Sequence, residues 1–433
     1  MSIFHHWPWT NFHELNLDWL LSEVKKNTEH VDKAVETVDK AVDDVENLSQ
    51  GLANQIISII EQMTPSPVTL PWVTPQMFGA VGDATTDDSA AFSAMFAADK
   101  PVFIPNGHYR LANDVHVDNS VDIWGESQNG VFLFLDPDKQ LSINQWRTTL
   151  RNMTIVSTGT NRFLINCIAP HCLFEDLYII CGRGISTSPG AVLCTFRNIL
   201  FEAFDIAILQ NSGDCTNLFE RVVVRGTGGN TNAIGIGITD SFAVTLRDCS
   251  FLLCKQGLTA NRSKSIVIDG CFFDQATEFG ANFDTCSRIT VKNSWFDNPV
   301  GIYLTDSNNA DIGGCVFRNG NPAISPTTSY SVVVHDNEAL QCRIFYSQRA
   351  GSGVTVVNNQ INTGEGDDVD EVERISFNDP MTNVYCVGNT ADRSPVVWYD
   401  PANATNFIVK DNLPPDPVSE EPDDPTEDPL DGQ

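Results

Sequence analysis

Five side chains at equivalent positions in consecutive repeats of the sequence are of types suited to carbohydrate chemistry. Phe272 and Trp295 are aromatic and lie one repeat apart, and Asp274 and Asp297 have the same separation. Arg318 occupies the corresponding position in the following repeat. Sugar rings stack on aromatic faces while sugar hydroxyls bond to carboxylates. The pattern therefore predicts a glycan-binding groove formed by Phe272, Trp295 and Arg318 beside the two carboxylates.

The two carboxylates also allow a catalytic interpretation. If consecutive repeats stack, Asp274 and Asp297 lie about 5 Å apart, which is the separation used by retaining glycosidases. Their mutual repulsion raises one pKa and makes that group an acid, so Asp274 and Asp297 are the candidate catalytic residues. Two other interpretations remain open: the aromatic surface packs against a neighbouring subunit while Arg318 neutralises Asp297, or the two carboxylates bind Ca²⁺.

A short pattern returns every 21 to 30 residues and supplies the elements that position these side chains. Each copy is an apolar strand, a polar two-residue corner and a second strand, and the middle copies contain a third strand. About 22 residues with three strands per coil are typical of a parallel β-solenoid. The sequence predicts a mainly β protein with about 12 coils. The first corner residues are Asn152, Asp176, Asn198, Arg221, Asp248, Gly270, Asn293, Gly314, Asp336, Asn358, Gly388 and Asp411.

Strand alternation predicts which side chains lie inside the coils. The first and third residues after each corner point inward, and the second and fourth point outward. Like residues should therefore stack as columns, with asparagine amides bonding one another and satisfying buried polar groups. Cysteines in these columns are small core residues, because their spacing is that of coils and not of metal ligands. No metal and no cofactor is predicted. The first column is Cys249, Cys271, Ser294, Cys315, Asn337, Asn359, Asn389 and Asn412, and the second is Phe251, Phe273, Phe296 and Phe317.

Residues 14–63 have the heptad pattern of a coiled-coil helix. With Val31 at a d position, apolar residues recur in alternating steps of three and four, and β-branched residues dominate the a and d positions. The pattern favours a parallel homotrimer; the alternative is a single amphipathic helix lying on its own domain. Residues 64–72 form a stiff linker containing Pro65, Pro67 and Pro71.

Composition excludes several kinds of partner. The net charge is −30, from 56 acidic and 26 basic residues, which argues against binding to nucleic acid or to an anionic membrane. No apolar stretch is long enough for membrane insertion, and residues 1–10 do not resemble a signal peptide, which predicts a soluble protein made in a cytoplasm. The acidic, proline-rich residues 413–433 predict a disordered tail.

The segment that precedes the repeats resembles the opening motif of the pectate-lyase-like superfamily, in the version shared by phage tailspikes. The motif is Phe78-Gly79-Ala80-Val81-Gly82-Asp83, followed by Thr86-Asp87-Asp88 and by Val102-Phe103-Ile104-Pro105. The resemblance implies a right-handed parallel β-helix over residues 150–412. Residues 73–149 would form its opening, with first coils and a capping helix at residues 89–98 that Asp87 or Asp88 caps.

The N-terminal segment Asn11-Phe12-His13-Glu14-Leu15-Asn16-Leu17-Asp18-Trp19-Leu20-Leu21 is similar to leader segments of phage virion appendage proteins. Residues 1–22 are therefore predicted to dock on the virion. An aromatic cluster of this density favours a docking surface, because it is costly to leave in water. The residues of the cluster are Phe4, Trp7, Trp9, Phe12 and Trp19.

These resemblances imply a homotrimeric, receptor-binding virion appendage made in the host cytoplasm. Its partners would be phage neck or tail proteins, through the N-terminus, and a glycopolymer on the bacterial surface. The sequence contains neither the Asn-Thr-Asp nor the Gly-His-Gly motif of polygalacturonases, so that enzyme class is not indicated. Enzymatic depolymerisation by Asp274 and Asp297 is left open. The alternatives are a soluble bacterial polysaccharide lyase or glycoside hydrolase, and a purely structural decoration fibre of the virion.

Overall fold

The computed structural model describes residues 17–62, 71–211, 213, 216–227, 233–362, 374–391, 397–399 and 404–412. The chain divides into two units, Met1–Leu70 and Pro71–Gln433. Three predictions lie largely or wholly outside the described residues. They are the leader aromatics Phe4, Trp7, Trp9 and Phe12, most of the linker at 64–72, and the acidic tail at 413–433.

The described part of the first unit is one helix, α1 (Leu17–Gln62), which contains no proline. Trp19 lies in its first turns. Along the predicted seam, five valines are 50–65% exposed within this unit: Val31, Val35, Val38, Val42 and Val45. Exposed β-branched residues at a and d spacing leave a long apolar stripe uncovered. Among the described residues, no helix is both long enough and apolar enough to cross a membrane.

The second unit is a parallel β-solenoid of about 13 turns, close to the 12 predicted. Its described residues form a 3-10 turn (Pro75–Phe78), a second helix, α2 (Ser89–Phe96), and 34 strands whose pairings are parallel. The strands are β1 (Asp83–Asp87), β2 (Val102–Ile104), β3 (Gly107–Leu111), β4 (Val115–Val117), β5 (Asp122–Gly125), β6 (Val131–Leu135), β7 (Leu141–Ile143), β8 (Thr149–Ser157), β9 (Ile165–Cys167), β10 (Leu173–Thr187), β11 (Thr195–Gln210), β12 (Leu218–Glu220), β13 (Val223–Gly226), β14 (Ile234–Thr239), β15 (Phe242–Arg247), β16 (Ser250–Leu252), β17 (Gln256–Asn261), β18 (Lys264–Asp269), β19 (Phe272–Asp274), β20 (Phe279–Asp284), β21 (Ser287–Lys292), β22 (Trp295–Asp297), β23 (Val300–Thr305), β24 (Asn308–Gly313), β25 (Val316–Arg318), β26 (Ile324–His335), β27 (Glu338–Leu340), β28 (Tyr346–Val357), β29 (Gln360–Asn362), β30 (Ile375–Phe377), β31 (Met381–Val387), β32 (Thr390–Ala391), β33 (Val397–Tyr399) and β34 (Ala404–Lys410).

Three sheets run along the solenoid. Sheet 1 contains the strand before each corner, sheet 2 the strand after it, and sheet 3 the remaining strand. One coil illustrates the order with β18 in sheet 1, β19 in sheet 2 and β20 in sheet 3, each pairing with the strand three places further on. The ladders already include β2, β5 and β3, so coils begin well before residue 150.

The predicted corners are confirmed in all twelve copies. Each first corner residue has a φ between 51° and 69°, which is the left-handed region. Glycine enters this region without a Cβ clash, and Asn and Asp are the other residues that adopt it most readily. Arg221 is the exception among these twelve in residue type, and it has the same conformation.

The phenylalanine column is also confirmed. Its rings are nearly parallel, with centroids 4.7–5.0 Å apart between successive coils. The rings fit because each faces a glycine at the start of sheet 3, where a Cβ would approach a ring carbon to 2.5–2.7 Å. These close approaches explain the recurring glycines in the repeat: Gly235, Gly257, Gly280 and Gly301.

The polar column forms a continuous hydrogen-bonded ladder of asparagines, of which Asn337, Asn359 and Asn389 are buried. Asn337 donates from Nδ2 to Asn359 Oδ1 at 2.9 Å, and Asn359 donates to Asn389 Oδ1 at 2.8 Å. Asn389 continues the chain to Asn412 Oδ1 at 2.9 Å. Each amide oxygen also accepts a backbone N–H of the preceding coil, as Asn337 Oδ1 does from Cys315 N. The ladder satisfies the polar groups that the corners bury.

The opening motif joins a turn to the capping helix. Gly79 and Gly82 both have positive φ, as the predicted tight turn requires. The carboxylate of Asp88 accepts the backbone N–H groups of residues 81 and 82, at 2.7 and 3.1 Å. Asp87 accepts the first backbone N–H of α2, that of Ser89, at 3.0 Å, while Asp88 stands at the N-cap position without a side-chain capping bond. These carboxylates are therefore structural, and α2 buries Phe92, Met95 and Phe96 in the core.

Replacing Asn359 with alanine should destabilise the solenoid. The change removes the side-chain bonds to Asn389, Val334 and Val357 and leaves the amide N–H groups of Asn337 without their acceptor. A buried polar group left unpaired costs ~1–3 kcal/mol, so the free energy of unfolding should fall by about 3 kcal/mol. Urea denaturation measures the change. Gln360→Ala, at the exposed neighbouring position, is the control, and an equal effect of both substitutions would contradict the ladder.

Candidate functional site

Sheet 2 brings the predicted site residues together. Strand β19 pairs with β22, which places Phe272 opposite Trp295 and Asp274 opposite Asp297. Strand β22 pairs with β25, which places Asp297 opposite Arg318. Neighbouring strands lie ~4.8 Å apart, so the five side chains occupy three consecutive rungs on the outer face.

The two aromatic rings are stacked on this face. The ring centroids of Phe272 and Trp295 are 6.1 Å apart with an interplanar angle of 17°. Phe272 is 37% exposed, and Trp295 is partly buried. Together they form an apolar platform at the surface, open to a ring of a ligand or to a neighbouring subunit.

Asp297 is held in place by its neighbours. Its Oδ1 accepts a 2.6 Å hydrogen bond from Asn319 Nδ2, and its Oδ2 lies 3.6 Å from a guanidinium nitrogen of Arg318. Arg318 in turn donates from Nε to Gln341 Oε1 at 3.1 Å. A Ca²⁺ between Asp274 and Asp297 would share the carboxylate of Asp297 with the amide of Asn319 and the guanidinium of Arg318.

Asp274 has a different electrostatic environment. Burial raises the pKa of its carboxyl, and the negative charge of Asp297 raises it further, while Arg318 opposes the shift. One carboxyl that holds its proton more tightly thus lies beside another that is paired with a cation. A carboxyl with a raised pKa, such as that of Asp274, is suited to the role of an acid.

A surface cleft of about 380 Å³ extends the site toward later coils. It is lined by Trp295 and Arg318 and by three residues that the sequence analysis did not identify, Leu340, Gln341 and Asn362. Leu340 and Asn362 continue the rungs of Asp297 and Arg318 in β27 and β29. In the sequence, Leu340 and Asn362 both stand at the fourth position after a corner, which is also the position of Asp297 and Arg318.

A second aromatic pair, which the sequence analysis missed, lies on the outer face of sheet 3. The rings of Phe279 and Tyr303 are stacked with centroids 4.9 Å apart and an interplanar angle of 20°. Asn282, which pairs with Tyr303 in register, has a buried Oδ1 without a hydrogen-bond partner among the described residues. The near-identical segments at 235–241 and 301–307 were the sequence signal for this face.

Two family models match parts of the chain. Residues 72–282 match the family described as "Rhamnogalacturonase A/epimerase, pectate lyase-like", and residues 200–393 match "Periplasmic copper-binding protein (NosD)". A curated relative, the "Pre-neck appendage protein" of Bacillus phage B103, is 25% identical over 297 residues. That alignment covers 64% of this chain and 32% of the relative, so the chain spans about a third of the relative's length.

Solved structures share the fold. The pre-mature bacteriophage phi29 gene product 12 superposes with a TM-score of 0.63 at 12% identity, covering 83% of this chain and 59% of that one. The Azotobacter vinelandii mannuronan C-5 epimerase AlgE6 A-module gives 0.54 at 15% identity, covering 79% and 99%. The GH87 alpha-1,3-glucanase of Streptomyces thermodiastaticus gives 0.54 at 12% identity, covering 81% and 69%. The resemblance to pectate-lyase-like β-helices and to phage appendage proteins is thus confirmed.

Replacing Asp274 with asparagine should stabilise the protein at neutral pH. A carboxyl whose folded-state pKa is raised favours folding only when protonated, so its contribution is lost as the pH rises through the folded-state pKa. The unfolding temperature of Asp274→Asn should therefore exceed that of the wild type at pH 7.5. The difference should shrink as the pH falls toward about 4, near the ordinary pKa of Asp.

The control for this pH series is Glu338→Gln, an exposed carboxylate of the same sheet. It should show no comparable pH-dependent difference. A gain for Asp274→Asn that is constant across the range, or a loss at pH 7.5, would contradict the assigned environment of Asp274.

Proposed function

We propose that this protein is a receptor-binding appendage of a phage virion that binds a glycopolymer of the host cell surface along sheet 2. The observation that carries the proposal is the stacked pair Phe272 and Trp295, directly beside the rungs of Asp274, Asp297 and Arg318. An apolar platform flanked by a few fixed polar groups is the usual composition of a sugar-binding site.

The geometry suits a polymer. The cleft beside Trp295 and Arg318 is within the ~300–1,000 Å³ range of small-molecule sites, so it accommodates sugar residues while the chain continues across the rungs. Arg318 is 45% exposed at its side chain and is held by Asp297 and Gln341, which presents its remaining donors to a ligand in a fixed direction. A preorganised guanidinium also suits phosphate or carboxylate groups of an anionic glycan.

The relatives support the same assignment. The curated relative is a pre-neck appendage protein of a Bacillus phage, and a fold neighbour is a phage gene product. Two further fold neighbours, an epimerase of mannuronan and an alpha-1,3-glucanase, are named for polysaccharide substrates. On this basis the protein is a virion component, with residues 1–22 and the aromatic cluster that includes Trp19 contacting neck or tail proteins.

Trimer formation is part of the proposal. The valines of α1 expose a continuous stripe at a and d spacing, and partner copies of the same helix would cover it as a coiled coil. The β-branched a and d positions favour three chains, and the pectate-lyase-like resemblance favours a right-handed solenoid.

Trp295→Ala should weaken binding of the glycopolymer at least about tenfold, because a buried aromatic anchor contributes ~2 kcal/mol or more. Binding is measured by isothermal titration with wall teichoic acid and capsular polysaccharide from a panel of strains that includes Bacillus. Tyr330→Ala, an exposed aromatic in sheet 1, is the matched control and should bind as the wild type does.

Tyr303→Ala tests the alternative aromatic pair on sheet 3. Loss of binding with Tyr303→Ala, while Trp295→Ala retains it, would contradict the site proposed on sheet 2. If Trp295→Ala lowers the proportion of trimer and leaves binding intact, the surface is a subunit interface. If the wild type binds no polymer of the panel, the structural decoration is favoured.

Cleavage of the bound polymer is a second candidate function, favoured by the raised pKa of Asp274 beside the ion-paired Asp297. Incubation of the trimer with the polymer it binds should then release reducing ends, or unsaturated ends if the reaction is a lyase reaction. Asp274→Asn and Asp297→Asn should each reduce product formation by ~100-fold or more, without loss of binding. Product at the wild-type rate in both variants would exclude this pair as the catalytic residues.

The trimer is tested with a double substitution in the helix. Sedimentation velocity of the wild type should give the mass of three chains. Val38→Asp with Val42→Asp places charges at adjacent seam positions, and should shift the distribution to monomer because buried unpaired charges are costly. Lys33→Asp, at a solvent-facing f position, should remain trimeric. A monomeric wild type would contradict the proposed stalk.

A further inference from the structure

Three buried cysteines converge where sheet 3 turns into sheet 1. Cys167 is the last residue of β9, and Cys172 and Cys194 directly precede β10 and β11. Their side chains are at most 1% exposed, and their Sγ atoms all lie within 4.8 Å of one another. Among the residues that the structure describes, this is the only group of three or more His, Cys, Asp or Glu side chains with such metal-ligand geometry.

The three thiols surround one carbonyl oxygen. Cys167 Sγ and Cys172 Sγ each lie 3.5 Å from Ala169 O, and Cys194 Sγ lies 3.4 Å from it. A carbonyl oxygen has two lone pairs, so three S–H groups compete for it. Cys172 Sγ also lies 3.7 Å from Gln145 O and from Pro170 O, and Cys194 Sγ lies 3.7 Å from Val192 O.

The spacing along the chain conceals this cluster. Cys172 and Cys194 are one coil apart and stack as column neighbours, as the pairing of Leu173 with Thr195 requires. Cys167 joins them from the adjoining sheet because the chain closes the corner between residues 167 and 172. The sequence analysis considered one column of cysteines at a time, and the contact between two columns appears only in the structure.

We propose that Cys167, Cys172 and Cys194 form a three-coordinate thiolate site for the soft cation Cu(I). Soft thiolate ligands select Cu(I), Zn²⁺ and iron–sulfur clusters. Structural Zn²⁺ almost always has four ligands in a tetrahedron, whereas this group supplies three. Iron–sulfur clusters use four cysteine ligands, so they also exceed the supply.

The dimensions allow such a site with small movements. Metal–sulfur bonds of ~2.3 Å place the sulfurs of a trigonal site ~4.0 Å apart. Starting from separations of at most 4.8 Å, each sulfur would move inward by ~0.5 Å or less. Rotation about the side-chain torsions of three short residues achieves this without a shift of the backbone ladder.

Binding replaces three protons by one cation. Each thiol loses its proton to solvent as a sulfur–copper bond forms, and the copper remains Cu(I) throughout. The match to the copper-binding NosD family begins at residue 200, beyond all three cysteines, so the proposal rests on these thiols alone.

The consequence would be a clamp between coils. The ligands lie at the ends of strands from three successive parts of the chain, so a bound cation would join β9, β10 and β11 at one corner. Any ligand that binds only the folded state stabilises it. The test therefore measures stability as well as binding.

The experiment uses the full chain, reduced and kept anaerobic. Cu(I) is added in the presence of the competing chelator bicinchoninate, and copper is counted after gel filtration. We expect one Cu(I) per chain and a higher unfolding temperature with Cu(I) than without it. Cys167→Ser and Cys194→Ser should each weaken binding by about 100-fold and abolish the thermal shift. Cys342→Ser, a buried cysteine remote in sequence, is the matched control and should behave as the wild type.

Three other outcomes would overturn the proposal. Equal copper retention in Cys194→Ser and the wild type would show adventitious binding only. Tighter binding of Zn²⁺ in a parallel titration would assign the cluster to a different metal. A Cys172–Cys194 disulfide in the protein as purified, detected by mass spectrometry of unreduced peptides, would show a structural crosslink. If Cys194→Ser fails to fold, Cys167→Ser provides the same comparison.

Discussion

Parallel, in-register stacking of successive coils is the constraint from which the rest of the structure follows. Backbone N–H and C=O groups of the strands pair along the solenoid. Backbone groups at the corners that have no strand partner must be hydrogen-bonded in another way. A fixed register places each residue directly against its equivalent in the next coil. Phenylalanine therefore meets phenylalanine, and asparagine meets asparagine, at the spacing of neighbouring strands. A side chain that breaks a column leaves either a void or an unpaired amide.

The same register determines the outer face. The rungs that stack Phe273 on Phe296 inside place Phe272 beside Trp295 outside, with Asp274 beside Asp297. A ligand that crosses the rungs meets a repeated surface whose spacing the backbone fixes in advance. Such a surface is preformed and needs no conformational change to meet a repeating ligand. Cleavage would require more, namely an acid, and the raised pKa of Asp274 suits that role.

Much of the fold could be predicted because it repeats. The left-handed corners, the inward columns and the turn that begins with Gly79 each follow from residue type at a fixed position. The rungs at Phe272, Asp274 and Arg318 followed from the same counting. The hydrogen bond from Asn319 to Asp297, and the one from Arg318 to Gln341, could not be predicted, because they depend on side-chain torsions at corners of variable length.

Other features could not be predicted because each brings together residues from two different positions of the repeat. The pair Phe279 and Tyr303 is diagonal within sheet 3, since the two residues stand at different places in their strands. The cysteine cluster combines the end of one sheet with the start of another. The heptad seam of α1 is visible in the sequence, but the number of chains that would cover it is not, because a heptad pattern specifies oligomeric state only weakly.

Pairwise crosslinking tests the register most directly. Two outer cysteines on adjacent rungs, Asp274→Cys with Asp297→Cys, should form a disulfide under mild oxidation, because the strands bring their Cα atoms within ~5 Å. Asp274→Cys with Arg318→Cys spans two rungs, about 10 Å, and should not. Mass spectrometry of unreduced peptides measures both. A crosslink in the second pair but not in the first would contradict the stacking, and with it the site.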